Sequence, residues 1–148
     1  MTSAERRSFI KAWWLVPQAA LSVRFRGLRR SLLWLSQRYP PGVLPPEGER
    51  ISLAKDTAAG LRKAIRVNPI PGKCLSQSLA LWALLRAQGL ETGLRIGVAK
   101  QDPLNAFNPD NFRAHAWVEY QGSVLNDSAE VVRRFAPHSP EITRLYLP

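Results

Sequence analysis

The segment from Cys74 to Gln88 is apolar on nearly every side, and that property constrains the whole chain. Leu75, Leu79, Trp82, Ala83 and Leu85 recur at helical spacing, Leu81 and Leu84 fill the remaining sides, and Gly89 supplies a stop. A helix apolar all round must be enclosed by other elements. Upstream, residues 4–38 read as helical, with Phe9, Trp13, Leu21, Phe25, Leu28, Leu32 and Leu35 recurring. Pro17 is expected to divide this region into two helices, because it removes an interior hydrogen bond. Tyr39 to Gly48 holds four prolines and two glycines in ten residues and reads as a linker or wrapped loop. Ser52 to about Val67 is a further amphipathic helix, with Leu53, Thr57, Leu61, Ala64 and Ile65 on one face. Asn68-Pro-Ile-Pro-Gly-Lys then reorients the chain.

Beyond Gly89 the period shortens. Leu94, Ile96 and Val98 alternate as a strand, Asp102 to Asn111 is a polar loop, and Phe112 to Glu119 is a second strand. A glycine turn leads to a third strand over Ser123–Asp127. The tail places Pro137 and Pro140 around a short helical turn. Helices first and antiparallel strands second predict an α+β fold. The expected division is a helical region with its Pro-rich linker over residues 1–48, packed on a core over 49–148.

At 148 residues, 45% hydrophobic and 22% charged, the chain has an ordinary globular balance. Its one cysteine excludes an internal disulfide framework and a multi-cysteine zinc site. We expect no metal or cofactor, and a reduced, cytoplasmic setting. The N-terminus lacks a signal peptide's apolar run, and Phe9–Leu15 is too short to span a bilayer. The net charge of +10 favours anionic partners: acidic peptide, nucleic acid or a membrane surface. The cluster Arg24 to Arg30 is locally dense, so a basic nucleic-acid-binding module is a rival reading; no helix-turn-helix, zinc or RNA-binding motif accompanies the cluster, and nucleic acid is not an expected partner.

Chemistry centres on Cys74. A free cysteine is more often a small buried hydrophobe than a nucleophile. Here, however, Pro71-Gly72-Lys73 precedes it and a helix begins with it. Unpaired N–H groups and the positive end of the helix dipole favour thiolate there, and the same groups suit an oxyanion. Gly72 is expected to leave room for a substrate backbone. His115, flanked by Ala114 and Ala116, is the candidate base; His138 in the Pro-rich tail is the poorer one. Asp127 reads either as a plain turn residue or as the group that orients His115. A two-residue turn at Gln121-Gly122 would set these two on opposite faces of the sheet. A three-residue turn, Tyr120-Gln121-Gly122, would pair Glu119 with Ser123 and place His115 opposite Asp127. Gln-Gly is a weaker type I′ signal than Asn-Gly, so the three-residue turn is the expected one. Asn68 and Gln77 are weak candidates for a side-chain oxyanion donor.

Cys74-Leu-Ser-Gln-Ser-Leu-Ala-Leu-Trp-Ala-Leu-Leu-Arg-Ala-Gln-Gly-Leu, Leu94-Arg-Ile-Gly-Val, Ala114-His-Ala-Trp-Val-Glu and Val124-Leu-Asn-Asp127 come in that order. Together they resemble the transglutaminase-like cysteine peptidases of lasso-peptide biosynthesis. The resemblance covers about residues 70–128 and implies a Cys74-His115-Asp127 triad. It also implies a papain- and transglutaminase-like fold, with the Cys-bearing helix packed on an antiparallel sheet. It further implies removal of the leader from a ribosomal precursor peptide, before an asparagine-synthetase-like cyclase forms the macrolactam. The residues before Cys74 do not resemble a fused leader-binding domain, so a separate leader-binding protein is implied. Trp13, Trp14 and Trp34 are expected in the core, with a docking face for a partner or membrane as the alternative.

Overall fold

The computed structural model describes residues 1–99, 114–127 and 135–137, comprising three helices and four strands. The helices are α1 (Ser3–Arg38), α2 (Glu47–Val67) and α3 (Cys74–Ala87). The strands are β1 (Gly93–Ala99), β2 (Ala114–Tyr120), β3 (Ser123–Val124) and β4 (Phe135–Pro137). They form one antiparallel sheet in the order β3-β2-β1-β4. This is the expected α+β architecture, with the Cys-bearing helix central.

α3 is buried continuously from Ser78 to Leu85, as its all-round apolar surface requires. Leu79, Leu81, Leu84 and Leu85 join Leu94 of β1 and Val118 of β2 in one core. Leu32 and Leu35 of α1 and Leu61 of α2 complete it. The stop at Gly89 is as expected. Its amide donates to Arg86 O and the Leu90 amide reaches Leu85 O, satisfying carbonyls at the helix end.

α1 departs from expectation at Pro17. The helix runs straight through it and breaks instead at Gly27, whose φ of 81° and ψ of 174° are open to glycine. Ser31 Oγ donates to Gly27 O (2.7 Å) and shares a buried hydrogen bond with Ser22 Oγ (2.8 Å), stitching the two legs together. Pro17 is tolerated because the carbonyl it deprives of a partner, Trp13 O, accepts from Asn68 Nδ2 at 2.6 Å.

The first leg of α1 also turns a different face inward. Ala12, Leu15, Val16 and Ala19 are buried, whereas Leu21 and Phe25 are exposed. Trp13 and Trp34 are half-buried against the core, but Trp14 is exposed. The reason is close approach to α2. A Cβ on Gly60 would run into the Glu5 carbonyl, so small side chains line this contact and large aromatics turn away. At the same end Thr2 and Glu5 form a capping box, and Lys63 pairs with the Glu5 carboxylate, holding it below its usual range.

α2 starts at Glu47, inside the stretch expected to be linker. Pro46 is its N-cap, and Glu47 and Glu49 in the first turn complement the helix dipole. β4 was not expected: Phe135–Pro137 pairs with Gly97–Ala99, and a proline is acceptable on such an edge. His138, the polar loop Asp102–Asn111, and the tail beyond Pro137 lie outside the described residues.

Candidate active site

β2 carries His115, and the turn after it decides what His115 can meet. Gln121 and Gly122 both have positive φ (49° and 81°), the backbone of a two-residue type I′ turn. Tyr120 pairs with Ser123 and Glu119 with Val124, so the expected three-residue turn and its register are wrong. Two consecutive positive-φ residues match the strand twist, and Gln121 accepts that conformation although glycine or asparagine is commoner there. Continued, this register would set Asp127 opposite Ala116, on the face away from His115.

The ladder does not continue. The Leu125 amide still donates to Val118 O (2.9 Å), but the Val118 amide donates to the side-chain Oδ1 of Asn126 at 2.8 Å. Leu125 O is turned out to Arg62 Nη1 (3.3 Å). A side-chain amide thus takes the place of a backbone carbonyl, and the alternation of faces ends with it. The chain bends over residues 125–127, and the Asp127 carboxylate hydrogen-bonds His115 Nε2. The predicted partners meet, by a route the register argument did not contain.

The imidazole is supported from its own strand. It stacks beside Trp117, with ring centroids 6.3 Å apart. Trp117 is fully buried and donates through Nε1 to Glu119 (2.8 Å), which in turn pairs with Arg95. Its Nε2 is the ring nitrogen directed to Asp127.

Cys74 is the first residue of α3 and is partly exposed. Lys73 at the N-cap supplies no side-chain cap and the first turn holds no acid, so no carboxylate of that turn opposes the positive end of the helix dipole. Ser76 Oγ accepts from the Lys73 amide and donates to Lys73 O, both 3.0 Å. Gly72 (φ 68°) is needed for a different reason from the one expected. A Cβ there would strike Ser76 Oγ, so the space beside it is filled from within rather than left for substrate. Asn68 and Gln77 are likewise committed elsewhere. Asn68 accepts from the Ile70 amide (2.9 Å) and donates to Trp13 O, while Gln77 Nε2 donates to Pro71 O (3.0 Å) and Gly72 O (3.3 Å). Both brace the segment leading into Cys74.

Two residues that sequence reasoning missed tie these parts together. Ser78, one turn beyond Cys74, is fully buried, donates to Ala116 O (3.1 Å) and accepts from Asn126 Nδ2 (2.9 Å). The Cys-bearing helix is therefore bonded to the residue after His115 and to the residue before Asp127. Their only sequence signals were the four-residue step from Cys74 to Ser78 and the position of Asn126 beside Asp127. We expect Asn126→Ala to cost about 1–3 kcal/mol, because it strips partners from the Val118 amide and Ser78. Denaturant unfolding measures this; a loss under a few tenths of a kcal/mol would remove Asn126 from the framework.

The transglutaminase-like superfamily model matches residues 13–139. The chain belongs to the transglutaminase-like superfamily. Its members are typically cysteine-dependent enzymes and include cysteine peptidases and acyltransferases. Neither the curated proteins nor the solved structures contain a match. The match begins within α1, so this superfamily domain includes helices upstream of Cys74 as well as the sheet. Among the described residues, no helix is long and apolar enough to cross a membrane.

Proposed function

We propose that this transglutaminase-like protein is a cysteine peptidase that removes the leader of a lasso-peptide precursor before macrolactam cyclisation. The observation that carries the reading is the Asp127 carboxylate on His115 Nε2, framed by Ser78 and Asn126 beneath the helix that starts with Cys74. In this reading His115 Nδ1 takes the Cys74 proton, and Sγ attacks the scissile carbonyl carbon. The developing oxyanion is met by N–H groups at the start of α3. Collapse breaks the C–N bond, and the leaving α-amine of the core peptide takes its proton from His115. Water then hydrolyses the thioester and frees the leader carboxylate. Asp127 holds the ring in the required tautomer and stabilises imidazolium. No metal or cofactor enters these steps.

The expected partners are the precursor peptide, a separate leader-binding protein and an asparagine-synthetase-like cyclase. The same acyl-enzyme could pass to an amine, a reading favoured by the acyltransferases in the superfamily. Mass spectrometry of the precursor incubated with enzyme and leader-binding protein separates the two. Hydrolysis gives two fragments, while transfer gives a new adduct. Cys74→Ala is expected to reduce cleavage to background, and cleavage that persists in this variant refutes the proposal.

A further inference from the structure

We infer that the outer face of α1 docks on an anionic lipid surface, independently of the peptidase reading. Ile10, Trp14, Leu21 and Phe25 follow one another at steps of four, seven and four residues, which stack on one side of a helix. They are 54%, 64%, 49% and 76% exposed, in a helix whose opposite side already lies in the core. The first leg of α1 is thus apolar on two sides, and among the described residues only one of them is covered. A contiguous exposed apolar stripe of this kind marks an interaction surface.

The charge around the stripe identifies the class of partner. α1 carries eight cations and one carboxylate, and that carboxylate, Glu5, is neutralised by Lys63 of α2. Helical periodicity places exposed Arg7, Lys11 and Arg24 within or beside the stripe. The Arg24 guanidinium lies over the Phe25 ring, 5.8 Å from its centroid, so a cation sits next to the most exposed apolar tip. A second copy of this chain would set cation against cation. A nucleic acid would engage the cations and leave four apolar side chains wet. A bilayer with anionic headgroups satisfies both: the aromatic and aliphatic tips enter the interface while Arg and Lys pair with phosphate.

The stripe ends in a cavity of about 330 Å³ at the elbow between the two legs, lined by Leu21, Phe25 and Trp34 with Arg26 over the Trp34 ring. An apolar hollow beside a guanidinium suits the boundary between acyl chain and headgroup. No described helix is long and apolar enough to cross a membrane, and the docking inferred here is of the α1 face with the bilayer surface.

Cosedimentation with vesicles tests this, using phosphatidylcholine alone and phosphatidylcholine with one quarter phosphatidylglycerol. The wild-type chain is expected to pellet with the anionic vesicles and stay in solution with the neutral ones. Trp14→Ala/Phe25→Ala and, separately, Arg7→Gln/Lys11→Gln/Arg24→Gln are each expected to weaken partitioning by about tenfold or more. Brominated anionic lipid should quench wild-type fluorescence more than that of Trp14→Phe, a readout independent of the multiple variants' folding. Cys74→Ala should bind like wild type, so failed cleavage and failed docking stay distinguishable. Absent vesicle binding overturns the inference in favour of an acidic protein partner. Binding that ignores Trp14 and Phe25 overturns it in favour of simple adsorption of a basic protein.

Discussion

Asp127→Asn is expected to lower kcat for leader cleavage by about 10²–10⁴-fold while changing KM little. In the proposed mechanism the carboxylate accepts from His115 Nε2 and Nδ1 receives the thiol proton. An amide of the same shape can present its NH₂ instead, which shifts the ring proton to Nδ1 and blocks that transfer. It also removes the negative charge that stabilises imidazolium in the transition state. The fold should tolerate the change. The two side chains are 25% and 32% exposed, and a pair open to solvent contributes about 0–1 kcal/mol to stability. A large kcat effect with an almost unmoved Tm is therefore the expected result. A kcat within a few-fold of wild type would make the pair an ordinary strand-end ion pair.

The parts of this site that could be read in advance are those set by local pattern. A run apolar on every side had to become the enclosed helix α3, and alternation over residues 94–98 had to become a strand. The approach of Asp127 to His115 was of another kind. The two side chains do meet, but the geometry expected to bring them together required a three-residue turn, and the chain makes a two-residue one. What rescues the contact is Asn126, whose side chain replaces a ladder carbonyl and lets the chain bend. No periodicity announces such a substitution, because its partners, Val118 and Ser78, are distant in the chain. Leu21 and Phe25 show the converse problem. Apolar spacing marks a face without saying whether that face meets the core, and here the small residues Ala12 and Ala19 do. β4 was hidden because Phe-Ala-Pro becomes a strand only through pairing with β1.

Pro17 and Asn68 are expected to be energetically coupled, and a double-mutant cycle should show it. In an uninterrupted helix Trp13 O would accept from the amide of residue 17, which proline lacks. Asn68 Nδ2 supplies that donor from the segment preceding Cys74, while its Oδ1 accepts from the Ile70 amide. Asn68 is buried, so water cannot readily replace it. Asn68→Ala leaves a carbonyl and an amide without these partners and should cost about 2 kcal/mol, seen as a Tm lower by about 4–8 °C for a chain of this size. Pro17→Ala restores the helical donor. In that background the same Asn68→Ala substitution should cost about 1 kcal/mol less, since Trp13 O is then satisfied within α1. Additive effects would mean that Asn68 acts only through the Ile70 turn. Coupling of the expected sign would explain how α1 runs straight through a proline: the missing bond is made by the segment that leads into Cys74, so the continuity of α1 and the placement of Cys74 depend on one side chain.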